Sequence, residues 1–233
     1  MQIHGRSDGA ISALAERLRD SNVSLRWGGS QVEGAINGSV HLLDAREQLV
    51  AFQKAGIPCP EFTFDRSVAE TWLRTGSLVF GRKLNHTQGF DIICAGGNRL
   101  KDKPKASARW KTRDFWTKYV PSISEWRFHI LNGNSIARGK KVFITPNGYG
   151  AMDNTANVPV IRSRRLGWHM QHDIDPPKGA RTLAKAAVAA VGYDLGAVDM
   201  LEVTPGKFLV LEVNSRPAIR DPYTIERYAL ALR

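Results

Sequence analysis

Three oxygen-bearing side chains near the C-terminus, those of Asp199, Glu212 and Asn214, are predicted to meet on a β-hairpin. Residues 197–203 and 208–213 are rich in aliphatic side chains, and the Thr-Pro-Gly-Lys sequence between them is typical of a hairpin turn. Side chains alternate between faces along a strand, so Glu212 and Asn214 share a face, and antiparallel register brings Asp199 near them. Carboxylate and amide oxygens suit Mg²⁺, which proteins commonly hold together with substrate phosphates.

The same alternation separates this candidate metal site from the core of the protein. It places Val213 and Leu211 on the opposite face of the second strand, where we expect them to be buried. An isolated Glu-x-Asn pair is more typical of water-facing charges at the ends of strands, here Asp199 and Glu212, with Asn214 opening a turn. The metal assignment therefore depends on the other motifs in the chain.

Cationic side chains earlier in the sequence are suited to neutralising a bound polyanion. Residues 78–80 predict a strand, and the polar segment after it carries Arg82, Lys83, Gln88 and Gly89. A triphosphate is a dense anion that fixed cations and exposed backbone N–H groups can bind together. Arginine can also make a bidentate contact with phosphate. A basic hairpin turn without a ligand would have a similar composition.

A second group of cations lies on a predicted strand pair in the middle of the chain. Residues 127–131 are expected to pair with residues 135–142 across an Asn-Gly-Asn turn. These strands carry Arg127, Lys140 and Lys141, whose charges could stabilise a phosphoryl group in transfer.

Taken in order, these motifs resemble those of the ATP-grasp superfamily, especially the carboxylate-amine ligases that include ribosomal-protein glutamate ligases. The similarity extends over roughly residues 41–219. It includes a helix followed by Gly-Ile-Pro-x-Pro at 56–60, the Glu-x-Arg-x-His strand at 125–129, and Glu-Val-Asn-Ser-Arg-Pro at 212–217. The last of these follows an aspartate on the preceding strand, as in that superfamily.

The resemblance implies an α+β protein with the ATP-grasp fold, in which two α+β subdomains clasp ATP. We expect a shortened N-terminal element at 1–40 with one helix at 12–19, a first subdomain at 41–120, and a second subdomain at 121–233 that contains the metal site. Ligases of this family usually carry a larger preceding domain that helps to bind the acceptor.

The resemblance also implies contacts with the nucleotide. The phosphates would be contacted by cations and by a small-residue loop: Arg82, Lys83, Gln88, Gly89 and Lys140. The adenine edge would be met by backbone groups of the linker between the subdomains: Lys118, Tyr119 and Val120. One departure from the family pattern concerns Ala45, which occupies a position where a phosphate-contacting lysine is common.

Catalytic and metal-binding roles follow from the same resemblance. The reacting groups would be neutralised by three cations: Arg127, Lys141 and Arg162. The magnesium ligands would be the hairpin residues: Asp199, Glu212 and Asn214. A second departure is Arg164, which replaces a polar Asn or His. For His129 we expect a packed or hydrogen-bonded side chain and no catalytic role.

Composition restricts the class of protein. The chain has 233 residues, of which 42% are hydrophobic, and a formal charge of +11. It has no apolar run of membrane-spanning length and no signal-peptide core at its start. Cys59 and Cys94 suggest neither a disulfide framework nor a metal site. We therefore expect a cytoplasmic protein, and the charge favours an anionic partner such as a nucleotide, an acidic peptide or a nucleic acid.

The function implied by the resemblance is ATP-dependent joining of a carboxylate to an amine through an acyl phosphate. ATP and Mg²⁺ would be the cofactors, and a carboxylate substrate and an amine acceptor, among them peptides or proteins, would be the partners. Two alternatives stay open. One is an ATP-grasp phosphotransferase, and the other is a basic nucleic-acid-binding or scaffold module that keeps the fold without turnover, with its basic residues concentrated at 99–113.

Overall fold

A computed structural model of the chain describes residues 1–5, 9–84, 92–96, 108–145, 148–150, 160–172 and 174–233. Within these ranges the strands form three sheets, of two, four and six strands. No helix in the described part of the chain is long and apolar enough to cross a membrane.

The N-terminal element is a single β-α-β unit. Strands β1 (Gln2–Gly5) and β2 (Ser24–Trp27) pair in parallel, and helix α1 (Gly9–Arg17) connects them. The sequence predicted the helix at 12–19, which overlaps the observed one, and missed both strands. Each strand has four residues, too few for a two-residue alternation to be read with confidence from the sequence.

The four-stranded sheet has the antiparallel order β3-β6-β4-β5. Its strands are β3 (Phe62–Thr63), β4 (Val79–Arg82), β5 (Ile93–Ala95) and β6 (Phe115–Lys118). Three helices lie before or within this part of the sequence: α2 (Ala45–Lys54), α3 (Arg66–Arg74) and α4 (Ala108–Lys111). Strand β4 places Arg82 at its end, where the polar segment begins.

The larger sheet has the order β10-β8-β7-β11-β12, with β9 paired to β8. Its strands are β7 (Ser124–Leu131), β8 (Asn134–Thr145), β9 (Gly148–Gly150), β10 (Trp168–Gln171), β11 (Leu195–Thr204) and β12 (Lys207–Asn214). The helices of this part are α5 (Ala180–Ala190) and α6 (Pro222–Ala231). The predicted hairpins β7–β8 and β11–β12 are both present.

Helix α5 covers one face of the larger sheet and forms the main core with it. Val188 of the helix packs with Val198, Met200 and Val210 of strands β11 and β12, all at most 2% exposed. Phe52 of α2 belongs to the same cluster. Helix α2 therefore packs on the larger sheet, although it lies within the range 41–120 that the sequence analysis assigns to the first subdomain. The subdomain boundaries stay a prediction.

A second core joins the two ends of the chain. Leu14 of α1 and Trp27 of β2 pack with Tyr228 of α6, and the rings of Trp27 and Tyr228 meet edge to face at 6.1 Å. The N-terminal unit thus covers its apolar surface with the C-terminal helix.

Asn37 attaches the N-terminal segment to the larger sheet. Its side chain is fully buried; Nδ2 donates to the Leu195 carbonyl at 2.7 Å, and Oδ1 accepts from the N–H groups of Asp194 and Leu195 at 2.8 and 3.0 Å. Its own N–H donates to the Asp194 carboxylate. The residue has a φ of 57°, in the left-handed region that asparagine tolerates better than most residues.

Replacing Asn37 by glycine should destabilise the protein by about 2–4 kcal/mol, because the substitution leaves buried backbone groups of β11 without partners. Asn132→Gly is the matched control, since Asn132 also has a positive φ, of 46°, but lies exposed in the β7–β8 turn. We expect it to change the unfolding free energy by about 0.5 kcal/mol at most. Denaturant unfolding of the two variants measures the difference, and equal effects would contradict this role for the Asn37 amide.

Candidate functional site

The β11–β12 hairpin brings the three predicted metal ligands together. Its register pairs Asp199 with Glu212 and Ala197 with Asn214. The Asn214 amide donates to Glu212 Oε1 at 2.9 Å, so these two side chains lie on the same side of the strand, as the alternation predicted. The hairpin therefore offers two carboxylates and one amide oxygen at one end of the larger sheet.

The expected burial of Leu211 on the core face is wrong. The register shifts between Asp199, which faces Glu212, and Met200, which faces Val210. Leu211 is the extra residue of this β-bulge. It is half-buried and lines the same pocket as Glu212, whereas Val213, at 2% exposed, lies in the core as predicted.

Asp199 is held by a bidentate ion pair with Arg127 of the neighbouring strand β7. Arg127 Nε donates to Oδ1 and Nη2 donates to Oδ2, both at 2.6 Å. Burial alone would lower the pKa of Arg127, but the charge and hydrogen bonds of Asp199 outweigh it and raise that pKa. The pair fixes the orientation of the aspartate and neutralises part of its charge.

Glu125 is a second buried carboxylate, to which the sequence analysis assigned no role. Its Oε1 accepts from Lys141 Nζ, and its Oε2 lies 3.7 Å from Arg162 Nη1. Lys141 also donates to the Arg162 carbonyl at 3.0 Å. Glu125 thus organises two of the three predicted catalytic cations. The sequence did indicate that Glu125 lies near the site, because Glu125 and Arg127 are two residues apart on one strand and therefore share a face.

Arg82 reaches this cluster from the four-stranded sheet. Burial lowers its pKa, and the negative charges of Glu212 and Glu125 offset only part of that effect. Its buried Nε has no hydrogen-bond partner among the described residues, and the same holds for the buried Nη1 of Arg162. Burial also lowers the pKa of Arg162. Two buried guanidinium groups therefore retain unsatisfied donors, which a bound anion would satisfy.

The described part of the site has more positive than negative charge. It contains four cations and three carboxylates: Arg82, Arg127, Lys141 and Arg162 against Glu125, Asp199 and Glu212. An anionic ligand would offset the excess.

A pocket beside Glu212 lies where α2, β4, β6 and β12 meet. Its lining combines apolar side chains with Arg82 and Glu212, and consists of Ala45, Gln48, Leu49, Pro60, Arg82, Phe115, Thr117, Leu211 and Glu212. Ala45, at the position where the sequence resemblance predicted a lysine, contributes only a methyl group to this wall.

Other residues predicted to bind the nucleotide have protein partners in this structure. Lys83 lies 3.7 Å from the Asp114 carboxylate, and Lys140 Nζ lies 5.8 Å from the centre of the Trp126 ring. These contacts do not bring either lysine into the buried cluster. Gln88 and Gly89 lie outside the described residues.

The linker predicted to meet adenine continues from β6. The N–H of Lys118 donates to the Glu61 carbonyl at 2.9 Å, and the N–H of Tyr119 donates to the Leu78 carbonyl at 2.8 Å. The Lys118 ammonium pairs with the Glu61 carboxylate at 2.7 Å. Both N–H groups are therefore engaged within the protein, and any contact of Lys118 or Tyr119 with a base would use other atoms. Val120 follows them as a half-buried residue.

The buried histidine and the two thiols are not prepared for catalysis. His129 Nδ1 is 2.9 Å from the Tyr228 hydroxyl, and burial together with the charge of Arg127 lowers its pKa to about 3, so the ring is neutral at physiological pH. Burial raises the pKa of Cys59, and it raises that of Cys94 to about 12. A thiol with a raised pKa is a poor nucleophile.

The oxygen ligands of the β11–β12 hairpin suit a magnesium ion that is also bound by phosphate oxygens of a ligand. No group of three or more His, Cys, Asp or Glu side chains in the described ranges could bind a metal by itself. The hairpin offers two carboxylates and the Asn214 amide oxygen, and Mg²⁺ typically takes one or two carboxylates and completes its octahedron with phosphate oxygens and water.

No protein-family model and no functionally curated protein matches the sequence. Solved structures do match the fold. The ATP-grasp ligase PsnB, in complex with a phosphomimetic variant of its minimal precursor, Mg and ADP, superposes with a TM-score of 0.56 at 13% identity, covering 81% of this chain and 58% of PsnB.

Two further structures give similar agreement. The D-alanine–D-alanine ligase from Bacillus anthracis has a TM-score of 0.53 at 15% identity, with 75% of this chain and 57% of that enzyme covered. The D-cycloserine synthetase DcsG has a TM-score of 0.54 at 18% identity, with coverages of 82% and 70%. The chain spans 58% and 57% of the lengths of PsnB and the Bacillus enzyme.

The α+β architecture predicted from the sequence is confirmed. Two observations lead to one conclusion. They are the strand order of the sheets and the agreement with three solved ligases of the same fold. This chain has the ATP-grasp fold.

Proposed function

We propose that the protein is an ATP-dependent, ADP-forming ligase that joins a carboxylate to an amine. The observation that carries the proposal is the buried cationic cluster beside the carboxylate-amide hairpin, in which Arg82 and Arg162 keep buried donors without hydrogen-bond partners among the described residues. Such donors at the meeting point of two sheets suit a polyphosphate better than a neutral ligand. The shared fold with three ligases supports the same reaction class.

The proposed reaction has two steps. An oxygen of the substrate carboxylate attacks the γ-phosphorus of ATP, an oxygen–phosphorus bond forms, and the bond to ADP breaks. The amine nitrogen then attacks the acyl carbon, a carbon–nitrogen bond forms, and phosphate leaves with the electron pair of the carbon–oxygen bond. The proton lost by the amine passes to phosphate or water.

The residues of the cluster would act by positioning and by charge neutralisation. Arg82 would bind phosphate oxygens through its unsatisfied donor, while Arg162 and Lys141 would face the transferring group. Glu125 would keep the latter two cations in place, because it already pairs with both. His129 has no general-base role in this proposal, because burial lowers its pKa to about 3 and makes the ring a weak base.

Glu212, Asn214 and Asp199 would hold a magnesium ion. When bound, the ion would neutralise phosphate charge and orient the phosphates. Asp199 is 4% exposed and has both oxygens engaged by Arg127, whereas Glu212 and Asn214 are half-buried and therefore the more accessible members of the set. We further propose the two sheets as the centres of the two subdomains, at 41–120 and 121–233.

The molecules bound in two of the similar solved structures suggest a class of substrate for this protein. PsnB was solved with a precursor, and the macrocyclase MdnC with a precursor peptide. We propose that one substrate is a peptide or a protein, and the charge of +11 favours an acidic one. An ADP-release screen across amino acids and acidic peptides tests this. ADP release that requires both a carboxylate and an amine supports the ligase, and phosphorylated product without an amine requirement supports a phosphotransferase instead.

MgADP should bind the folded protein and raise its melting temperature, because a ligand that binds only the folded state stabilises it by mass action. At about 100 times the dissociation constant the stabilisation is about 2.7 kcal/mol. Thermal melting with and without millimolar MgADP, together with calorimetric titration, measures this. No shift in melting and no heat of binding would exclude the nucleotide site, and salt-sensitive binding of DNA or RNA in their place would favour a scaffold module.

Arg82→Ala should weaken MgADP binding by about tenfold or more without reducing stability. The guanidinium loses hydration on burial and has a buried donor without a partner among the described residues, so its removal relieves a cost in the unliganded protein. Arg66→Ala is the control, because Arg66 is exposed on α3 and pairs with Glu70 at 3.2 Å. Calorimetry and denaturant unfolding of both variants report affinity and stability separately. Wild-type affinity in Arg82→Ala would remove Arg82 from the site.

Glu212→Gln should leave the protein folded and reduce ADP production by about 100-fold, the scale expected when catalytic electrostatics are disturbed. The substitution preserves volume but removes a negative charge from the proposed metal site. Val210→Ala on the same strand is the contrasting variant, since Val210 is fully buried in the core. It should cost about 1.5–3 kcal/mol of stability while its folded fraction turns over normally. Normal turnover by Glu212→Gln at saturating magnesium would show that Glu212 is a structural residue.

A further inference from the structure

Gln48 of helix α2 binds the backbone of β12 between two of the proposed metal ligands. Its Nε2 donates to the Val213 carbonyl at 3.0 Å, and its Oε1 accepts from the Val213 N–H at 2.8 Å. Both hydrogen bonds are buried, and the residue is 9% exposed. The amide therefore satisfies both backbone groups of Val213, as a neighbouring strand would.

This contact lies on an open side of the larger sheet. Strand β12 is the last strand in the order β10-β8-β7-β11-β12, so its outer N–H and C=O groups face no further strand in the described part of the chain. The segment after α2 adds a second contact, because the Val210 N–H donates to the Pro58 carbonyl at 2.8 Å. These two contacts lie on either side of the bulge at Leu211 and Glu212. Helix α2 and the chain that follows it thus fix the outer backbone around the bulge.

The start of α2 is itself firmly held, so Gln48 approaches β12 from a fixed position. Asp44 caps the helix, accepting from the N–H groups of Arg46 and Glu47, and the Asp44 N–H in turn donates to the Glu47 carboxylate at 2.8 Å. The Leu43 N–H donates to the Tyr193 hydroxyl at 2.7 Å. Such reciprocal capping restricts rotation and sliding of the first helical turn.

We propose that Gln48 is a positioning residue for the metal site, acting through the Val213 peptide groups on Glu212 and Asn214. A one-residue slip of β12 would turn both side chains away from the site, and a bulged strand has a less regular ladder to resist such a slip. Groups that orient metal ligands typically contribute 10- to 100-fold to metal affinity. This inference rests on the proposed function, since it assumes a magnesium-nucleotide site at the hairpin.

Calorimetric titration of ADP with and without Mg²⁺ tests the proposal. The readout is the ratio of the two dissociation constants, which measures how much the metal strengthens nucleotide binding. In Gln48→Met, which preserves length and packing but removes both hydrogen bonds to Val213 and the longer one to the Leu43 carbonyl at 3.3 Å, we expect the ratio to fall about tenfold. Gln53→Met is the matched control, because Gln53 is exposed on the same helix, and its ratio should equal that of the wild type.

A second variant separates positioning from folding. Gln48→Asn keeps the amide and adds no charge, but it is one methylene shorter and cannot reach the Val213 N–H and carbonyl as Gln48 does, so its ratio should fall as that of Gln48→Met does. It also carries the test if Gln48→Met does not fold. A lower melting temperature with an unchanged ratio in the folded Gln48 variants would overturn the proposal and leave Gln48 purely structural. Wild-type ADP binding that does not respond to Mg²⁺ would instead overturn the proposed metal site.

Discussion

The ion pair of the half-buried Arg127 with the buried Asp199 is the interaction on which the rest of the site depends. Two charges removed from water are costly unless each finds a well-oriented partner, and removing one partner from such a pair typically costs about 3–5 kcal/mol. Here the strands β7 and β11 are adjacent, and their register places Arg127 opposite Asp199. The sheet itself therefore supplies the geometry. Any metal bound at the hairpin must share Asp199 with a cation already in contact with it.

The need of a buried charge for a partner of opposite sign also applies to the residues next to Arg127 and Asp199. Glu125, two residues before Arg127 on the same strand, pairs with Lys141 and lies near Arg162. These three cations are therefore each paired with a carboxylate of the larger sheet. Arg82 comes from the other sheet, and burial lowers its pKa although the negative charges of Glu212 and Glu125 act in the opposite direction. Among the described residues, the place where the two sheets meet has four cations for three carboxylates, an excess that an anion bound between the sheets would offset.

The hairpin and its pairing could be predicted because they depend on short-range information. Turn residues between two aliphatic runs specify the hairpin, and its register then brings Asp199 to Glu212. The bulge at Leu211 could not be predicted in this way, because regular alternation carries no sign of an extra residue. The strands of the N-terminal unit were missed for a related reason: they are short and are stabilised by packing against α6, more than 200 residues away in the sequence. Glu125 was visible as a motif residue, but its role required knowing that Lys141 and Arg162 meet it in space.

The same distinction between local and distant information applies to Gln48. A glutamine in the first turns of an amphipathic helix gives no sequence signal for a contact with a strand 165 residues later. Its importance follows from topology, because β12 is an edge strand and its bulge weakens the regular ladder that would hold the hairpin. A site built at such an edge needs support from outside the sheet. Helix α2 provides it through Gln48 and through Pro58, and the same helix lines the pocket beside Glu212. The position of α2 therefore couples the shape of the pocket to the geometry of the proposed metal ligands.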